Sequence, residues 1–289
     1  MGETKKNSKA TSILKNNPLT SIVKGNIGII VVLIIMCVAV ALATDKFLTT
    51  NNIISVLRQI SINTYIALGM TLIIILGHID LSVGSIVAMS GTLTVGFIVN
   101  QGLPLGVAIV AGLLVGTAAG FISGFIVANF KVPAFIITMA MMNIASGIAY
   151  VYTGGQSTRI TNKLFIEIGT GYLFNVIPLP VVYMVVLIIL FSFILSKTKF
   201  GTYVYAIGGN REAARLSGVP IKKIEIIVFT ISGLLSAFAG LVLCSRMYSG
   251  QPSVGSGYEL EGLIIACAVL LDGQKGKLEL LKKKKLAAN

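Results

Sequence analysis

Two stretches hold residue types that could do chemistry, and in both it is a chemistry of charge placement. In Gly77-His78-Ile79-Asp80-Leu81-Ser82-Val83-Gly84-Ser85, Asp80 is the only acid between Asp45 and Glu167, and it stands between two apolar runs. A charge at the bilayer centre costs about 2.5–3.5 kcal/mol on insertion scales. Asp80 must therefore sit at an interface, cap a broken helix or line a wet cavity. One reading makes it the N-cap of the next helix, accepting from the Ser82 or Val83 amide. The other gives it a contact with substrate or gate. His78, the single histidine, is either a satisfied interfacial side chain or a proton relay. One histidine leaves no room for a histidine triad or a multi-histidine metal site. Cys37, Cys244 and Cys267 lie in apolar runs without metal or redox spacing and read as buried packing residues. No catalytic residues and no metal site are expected. No GxxxxGK[ST] run occurs, so ATP is not bound through a phosphate loop.

The second stretch runs from Lys197 to Glu225, KTKFGTYVYAIGGNREAARLSGVPIKKIE, polar and basic in an oily chain. Asn210 is a helix N-cap residue, REAARLS reads as a short helical run, Gly218 sits where a stop belongs and Pro220 prevents continuation. A helix of about two turns is marginal alone in water. It needs support from the membrane body beneath and from a partner on its outer face. Ala213, Leu216 and Val219 form an apolar side suited to a partner's groove, with Arg211, Glu212 and Arg215 to orient it. The plainer alternative is an ordinary ordered membrane loop.

The elements that must position these stretches are membrane spans. Of 289 residues, 55% are hydrophobic and only 11% charged, with a mean hydropathy of +0.92; soluble domains carry about 25% charged residues. The net charge of +13 is confined to loops and tails, without a basic stripe and interleaved aromatics, which argues against nucleic acid. Residues 1–26 form a basic head, and Ile27–Thr44 is long enough to span at roughly 27 Å. Ala41-Leu42-Ala43 mimics a signal-peptidase site, but the apolar core exceeds the usual h-region of about 7–15 residues, so the span is read as uncleaved. Further spans are expected at Ile53–Gly77, Val83–Val99, Leu105–Asn129, Pro133–Thr153, Pro180–Ser196 and Ile226–Cys244. Leu260–Leu271 is too short to cross alone. The expected fold is thus all-α: a polytopic helical bundle of about seven full spans and an incomplete eighth, covering residues 27–271. With the N-terminus inside, 18 of the 23 basic residues fall on the cytoplasmic side, as the positive-inside rule requires. That puts Lys197–Glu225 in the cytoplasm.

Gly112, Gly116, Gly120 and Gly124 recur every four residues in the fourth span. They make a smooth face for close helix approach, either inside one bundle or against a second subunit.

The motifs together resemble one family. GHIDLSVGS is similar to the GGIDLSVGS signature of ribose-type carbohydrate ABC-importer permeases. KVPAFIITMAMMNIASGIAYVYTGG and FGTYVYAIGGNREAARLSGVPIKKIE resemble that family's middle span and cytoplasmic coupling segment, and GSGYELEGLIIACAV its GxGYELDAIAA segment. The resemblance runs from about residue 26 to 270. It implies a bacterial inner-membrane permease, working as a pair, that binds no cofactor of its own. Its implied partners are a cytoplasmic ATPase pair, which binds ATP and Mg²⁺, an extracytoplasmic sugar-binding protein, a second permease copy and membrane lipid. By resemblance, Asn210, Arg211, Glu212, Ala213, Ala214, Arg215, Leu216, Ser217 and Gly218 fall on the coupling helix. Gly77, Ile79, Asp80, Leu81, Ser82, Val83 and Gly84 fall on the signature, where His78 replaces the commoner glycine. A neutral sugar needs hydrogen-bonding groups on apolar walls, and Asn63, Thr64, Thr71, Ser90, Asn143 and Ser146 are the candidates. The tail, residues 272–289, departs from the family's glycine-rich continuation and reads as a truncation or frameshift. The rival functions are an ion-coupled secondary transporter and a non-transporting remnant of such a permease.

Overall fold

The structure is a computed structural model describing residues 27–130 and 132–270. The basic head, Lys131 and the atypical tail lie outside the described residues. Among those described, the chain is helical almost throughout, with only four two-residue strands. The all-α polytopic architecture expected from composition is the one observed. Among the described residues, five helices are long and apolar enough to cross a membrane: α2 (Thr50–Ile75), α4 (Leu105–Phe130), α5 (Ala134–Thr153), α7 (Leu179–Lys197) and α10 (Ile221–Met247). Two shorter apolar helices are α1 (Ile27–Ala43) and α3 (Val83–Val99). At 17 residues, α3 reaches only about 25 Å.

The chain divides into two compact units, residues 1–55 with 268–289, and residues 56–267. In the first, α1 carries no charge and exposes apolar side chains in every direction from Val31 to Val40, the pattern of a helix solvated by lipid. Everything below concerns the second unit.

At its centre α10 packs against α4 and α3 through small residues. A methyl on Gly116 would stand 2.6 Å from the Ala237 Cβ and 3.0 Å from the Gly233 carbonyl oxygen. One on Gly120 would overlap the Phe229 carbonyl oxygen and stand 3.0 Å from the Gly233 Cα, and one on Gly124 would meet Phe229 and Ile226. Gly112 faces Thr94 and Ser90 of α3. The row of glycines thus lies against two helices of the same chain. Gly91 and Gly240 repeat the arrangement between α3 and α10. Lipid supplies no hydrophobic drive for helices to associate, so packing of this closeness is what holds them.

Polar contacts also tie α2 to α7 and α10 to the segment between α5 and α7. The buried Tyr65 hydroxyl on α2 donates to the Pro180 carbonyl at the start of α7, 2.5 Å away. Between α5 and α7 the chain forms β1 (Thr158–Arg159), the short helix α6 (Lys163–Thr170) and a hairpin of β2 (Tyr172–Leu173) with β3 (Ile177–Pro178). Asn162 caps α6, accepting from the Phe165 amide at 3.2 Å. The Ser245 hydroxyl of α10 donates to the carbonyl oxygen of Phe165 at 2.6 Å and accepts from the Gly169 amide at 2.7 Å. After α10, β4 (Ser249–Gly250) pairs antiparallel with β1. The chain then runs back along α3, with Gly250 beside Thr92 and Val95 and Gly255 against Gly84, before residues 258–267 resume a helix.

Candidate functional site

The polar segment after α7 is two helices rather than one. Thr198 opens α8 (Lys199–Gly209), its hydroxyl accepting from the Gly201 amide at 3.3 Å. Gly201, Val204 and Ile207 form its buried face. Gly208 is pressed against the Ile75 carbonyl at the end of α2, a position with no room for a side chain. The backbone then turns at Asn210, which is extended at φ −159° and ψ 104°. Its side-chain oxygen accepts from the Ala213 amide at 2.9 Å, which starts α9 (Arg211–Leu216).

The charges on α9 suit the helix dipole, with Glu212 in its first turn and Arg215 in its last. Arg215 Nε donates to Glu212 at 3.0 Å, and that bond holds the Glu212 carboxyl below the usual carboxylate range. Termination falls on Gly218, in the left-handed region at φ +79°. The amides of Gly218 and Val219 return to the Arg215 and Ala214 carbonyls, each at 3.0 Å. Pro220 then caps α10. Of the helix's own side chains, Ala214 is turned into the body (4% exposed) and Leu216 is turned out (75% exposed). Glu212, Ala213, Arg215 and Ser217 are also exposed.

The loop from Gly77 to Ser82 joins α2 to α3. Gly77 takes φ +80°, and the amides of Gly77 and His78 bond back to the Ile74 and Ile73 carbonyls at 2.9 and 3.0 Å. This closes α2 with a left-handed glycine. The permissive backbone position is therefore Gly77, and a histidine at 78 costs nothing in backbone conformation. Asp80 is buried, accepting from the Ser82 amide at 2.8 Å and the Ser82 hydroxyl at 2.6 Å. Ser232 of α10 lies 3.4 Å from its other oxygen. The residue at the N-cap position of α3 is Ser82, with Asp80 two residues before it, tying down the Ser82 amide. Ile79 offers its carbonyl to Thr138 of α5 at 3.4 Å, and Leu81, half-buried, completes the turn before Val83.

The two stretches singled out in the sequence meet at one residue, Glu225 of α10. Its side chain is fully buried. Arg211, the first residue of α9, grips it with both terminal nitrogens: Nη1 donates to Oε1, and Nη2 to Oε2 at 3.1 Å. His78 Nε2 lies 3.0 Å from Oε1. The bond to Glu225 makes the Arg211 guanidinium hold its proton still more firmly than usual. Sequence reasoning gave Glu225 no role, although an acid embedded in the apolar start of a span, IKKIEIIVF, is a signal in itself.

The signature loop also touches the segment after α10. Gly84 and Gly255 approach backbone to backbone, and Glu259 lies over Gly84. Near it, the Asn63 amide of α2 donates to Glu261 at 2.7 Å. The six candidate wall residues are distributed over α2, α3 and α5. Thr64 and Thr71 donate to their own helix, to Ile60 and Ala67, at 2.7 Å each. Ser90 is fully buried beside Gly116. Asn143, on the exposed side of α5, bonds only the Met139 carbonyl at 3.0 Å, and Ser146 is half-buried one turn on. A groove on the same side of α5 is lined by Gly147, Ile148, Val151 and Tyr152. Among the described residues, no three histidine, cysteine, aspartate or glutamate side chains are grouped to hold a metal ion.

Residues 52–270 match the family described as branched-chain amino acid transport system / permease component. The chain is 42% identical over 254 residues to the ribose import permease protein RbsC of Haemophilus influenzae, covering 86% of this chain and 78% of that one. It is 39% identical to the L-arabinose transport system permease protein AraH of Escherichia coli K12, with 87% and 76% covered. To the L-arabinose ABC transporter permease protein AraH of Azospirillum brasilense it is 37% identical, with 84% and 70% covered. No solved structure matches the chain.

Proposed function

Because this chain belongs to the branched-chain amino acid transport system / permease component family, we propose that it is the membrane-spanning subunit of an ATP-binding-cassette importer, admitting a monosaccharide of the pentose or hexose class. A permease component is not itself an enzyme. Within a family named for amino acids, the sugar assignment is supported by relatives whose names specify ribose and L-arabinose. ATP and Mg²⁺ belong to a pair of cytoplasmic ATPase subunits, and solute is delivered by an extracytoplasmic sugar-binding protein. The permease pairs with a second copy in the inner membrane, with its N-terminus in the cytoplasm. Nucleic acid is not a partner.

One observation carries the reading: a capped helix, Arg211–Leu216, with Ala214 seated in the membrane body and Leu216 facing outward. An apolar side chain held out in water beside Glu212 and Arg215 suits the groove of another protein. Closure of the ATPases on nucleotide would push this helix, and the push would rock spans packed along the glycine rows. Substrate would then pass between the two copies, beside the α5 face that carries Asn143, Ser146 and Gly147. A polar amide on the exposed side of a membrane helix supports placing that face on a wet pathway.

Uptake into sealed vesicles tests the energetics and the substrate together. With the ATPase and binding protein present, radiolabelled D-ribose or L-arabinose is expected to accumulate with ATP and to keep accumulating after ionophores collapse the ion gradients. Uptake that ends with the gradients would identify a secondary transporter. No uptake of any pentose or hexose with all partners present would identify a non-transporting remnant.

A further inference from the structure

We propose that Glu225 is the joint through which the Arg211–Leu216 helix moves the loop from Gly77 to Ser82, handing displacement of the cytoplasmic helix to the start of α3. The proposal rests on the reading that an ATPase works on that helix, and it names the residues that carry the stroke inward.

Three elements converge on this carboxylate: Arg211 begins α9, His78 lies in the loop after α2, and Glu225 is one turn into α10. Glu225 has no exposure, and the His78 ring beside it sits 6.0 Å from that of Phe229. A carboxylate in such a setting is stable only while paired, and removing one partner leaves a buried charge uncompensated. Arg211 therefore cannot swing away from Glu225 without cost. The same carboxylate holds the His78 imidazole. A displacement of α9 that keeps the pairs intact must carry His78 with it.

The far end of the linkage is built to respond. Gly77 has φ +80° and nothing within 4 Å of where a side chain would begin, so the loop has room to pivot there. Two residues beyond His78, Asp80 holds both the amide and the hydroxyl of Ser82, the residue that opens α3. Movement of the loop is thus movement of the head of α3, which meets Gly255 at Gly84.

A second contact lies just before each of these regions in the chain, Gly208 of α8 against the Ile75 carbonyl at the end of α2. The two contacts have opposite mechanical character. A steric contact resists compression and transmits a push, whereas a charge pair resists separation and transmits a pull. A pump that returns to its starting state needs both, and the Arg211–Glu225–His78 group supplies the pull.

Hydrogen–deuterium exchange on the purified permease–ATPase complex tests this, comparing the nucleotide-free state with ATP plus vanadate over residues 210–219 and 76–82. In the wild-type complex, nucleotide is expected to change exchange in both segments. With Glu225→Gln, the response of 210–219 should remain, while that of 76–82 falls by at least about fivefold. Glu225→Asp should restore it, and His78→Ala, which leaves no side-chain donor at position 78 for Glu225, provides a second variant should Glu225→Gln fail to assemble. A merely structural role would speed exchange of 76–82 in both states and leave the nucleotide-dependent difference intact. A difference that persists in whichever of Glu225→Gln and His78→Ala assembles overturns the joint, as does a wild-type response confined to 210–219. Absence of any wild-type response at 210–219 would instead reject the docking reading beneath it.

Discussion

Replacing Gly120 with leucine is expected to abolish accumulation of the folded permease, and Gly120→Ala to lower its stability by roughly 1–3 kcal/mol. The sign follows from two opposed effects. Alanine is the better helix former, by about 1 kcal/mol. Its methyl, however, would overlap the Phe229 carbonyl oxygen and stand 3.0 Å from the Gly233 Cα. Both neighbours are backbone, so no rotamer change relieves the clash, and α4 and α10 must separate along their length. Gly116 and Gly124, whose facing contacts include side chains, should be less severe at alanine. Gly106 lies on the same helix with nothing within 4 Å, so Gly106→Ala meets no clash and should leave stability unchanged or raise it by up to about 1 kcal/mol. The thermal midpoint of the detergent-purified protein reads the series. Equal midpoints for Gly120→Ala and Gly106→Ala would mean that the α4–α10 contact does not set stability.

Leu216→Asp is expected to cut recovery of the ATPase with the permease by at least tenfold while leaving the amount of permease in the membrane unchanged. Leu216 is 75% exposed, so the folded chain loses little. A buried interface leucine is worth about 2 kcal/mol or more when it is a central anchor, and a carboxylate in its place adds a desolvation cost. Arg215→Glu should act in the same direction, setting a second acid three residues from Glu212 and next to the C-terminal carbonyls that the arginine complements. Ala214 is the contrasting control. It is buried against the body, so Ala214→Leu should loosen α9 itself, seen as faster amide exchange over residues 211–216, before any effect on the partner. Normal ATPase recovery with Leu216→Asp would contradict the docking role.

The parts of this molecule legible in the sequence are those where a local rule acts alone. Hydropathy placed the apolar helices. Asn210 and Gly218 marked the ends of α9 by chemistry that needs no tertiary context, a side-chain acceptor and a left-handed turn. The spacing of Gly112 to Gly124 gave a face, though not its partners, which are α3 and α10. Helix α8 was missed because its signal is diluted. Val204 and Ile207 lie at helical spacing, but glycines and β-branched residues around them read as loop. One reading made Asp80 the N-cap of α3, accepting from the Ser82 or Val83 amide; it does accept from the Ser82 amide, but the cap position belongs to Ser82 itself. The meeting of His78, Arg211 and Glu225 could not be read at all, since 147 residues separate two of its members. The candidate wall residues were chosen by type alone and lie on three helices, α2, α3 and α5. Polar type alone does not say which side of a helix a residue occupies, and Thr64 and Thr71 spend their hydroxyls on their own backbone.

The central claim is that a separate ATPase drives this chain through the Arg211–Leu216 helix. It is tested most directly by placing a photoreactive amino acid at position 216 in cells that express the whole transporter. Illumination is expected to yield one major adduct, between the permease and the ATPase subunit, formed from the cytoplasmic side. An adduct with an extracytoplasmic protein, or uptake at full rate in vesicles whose ATPase has been removed, would contradict it.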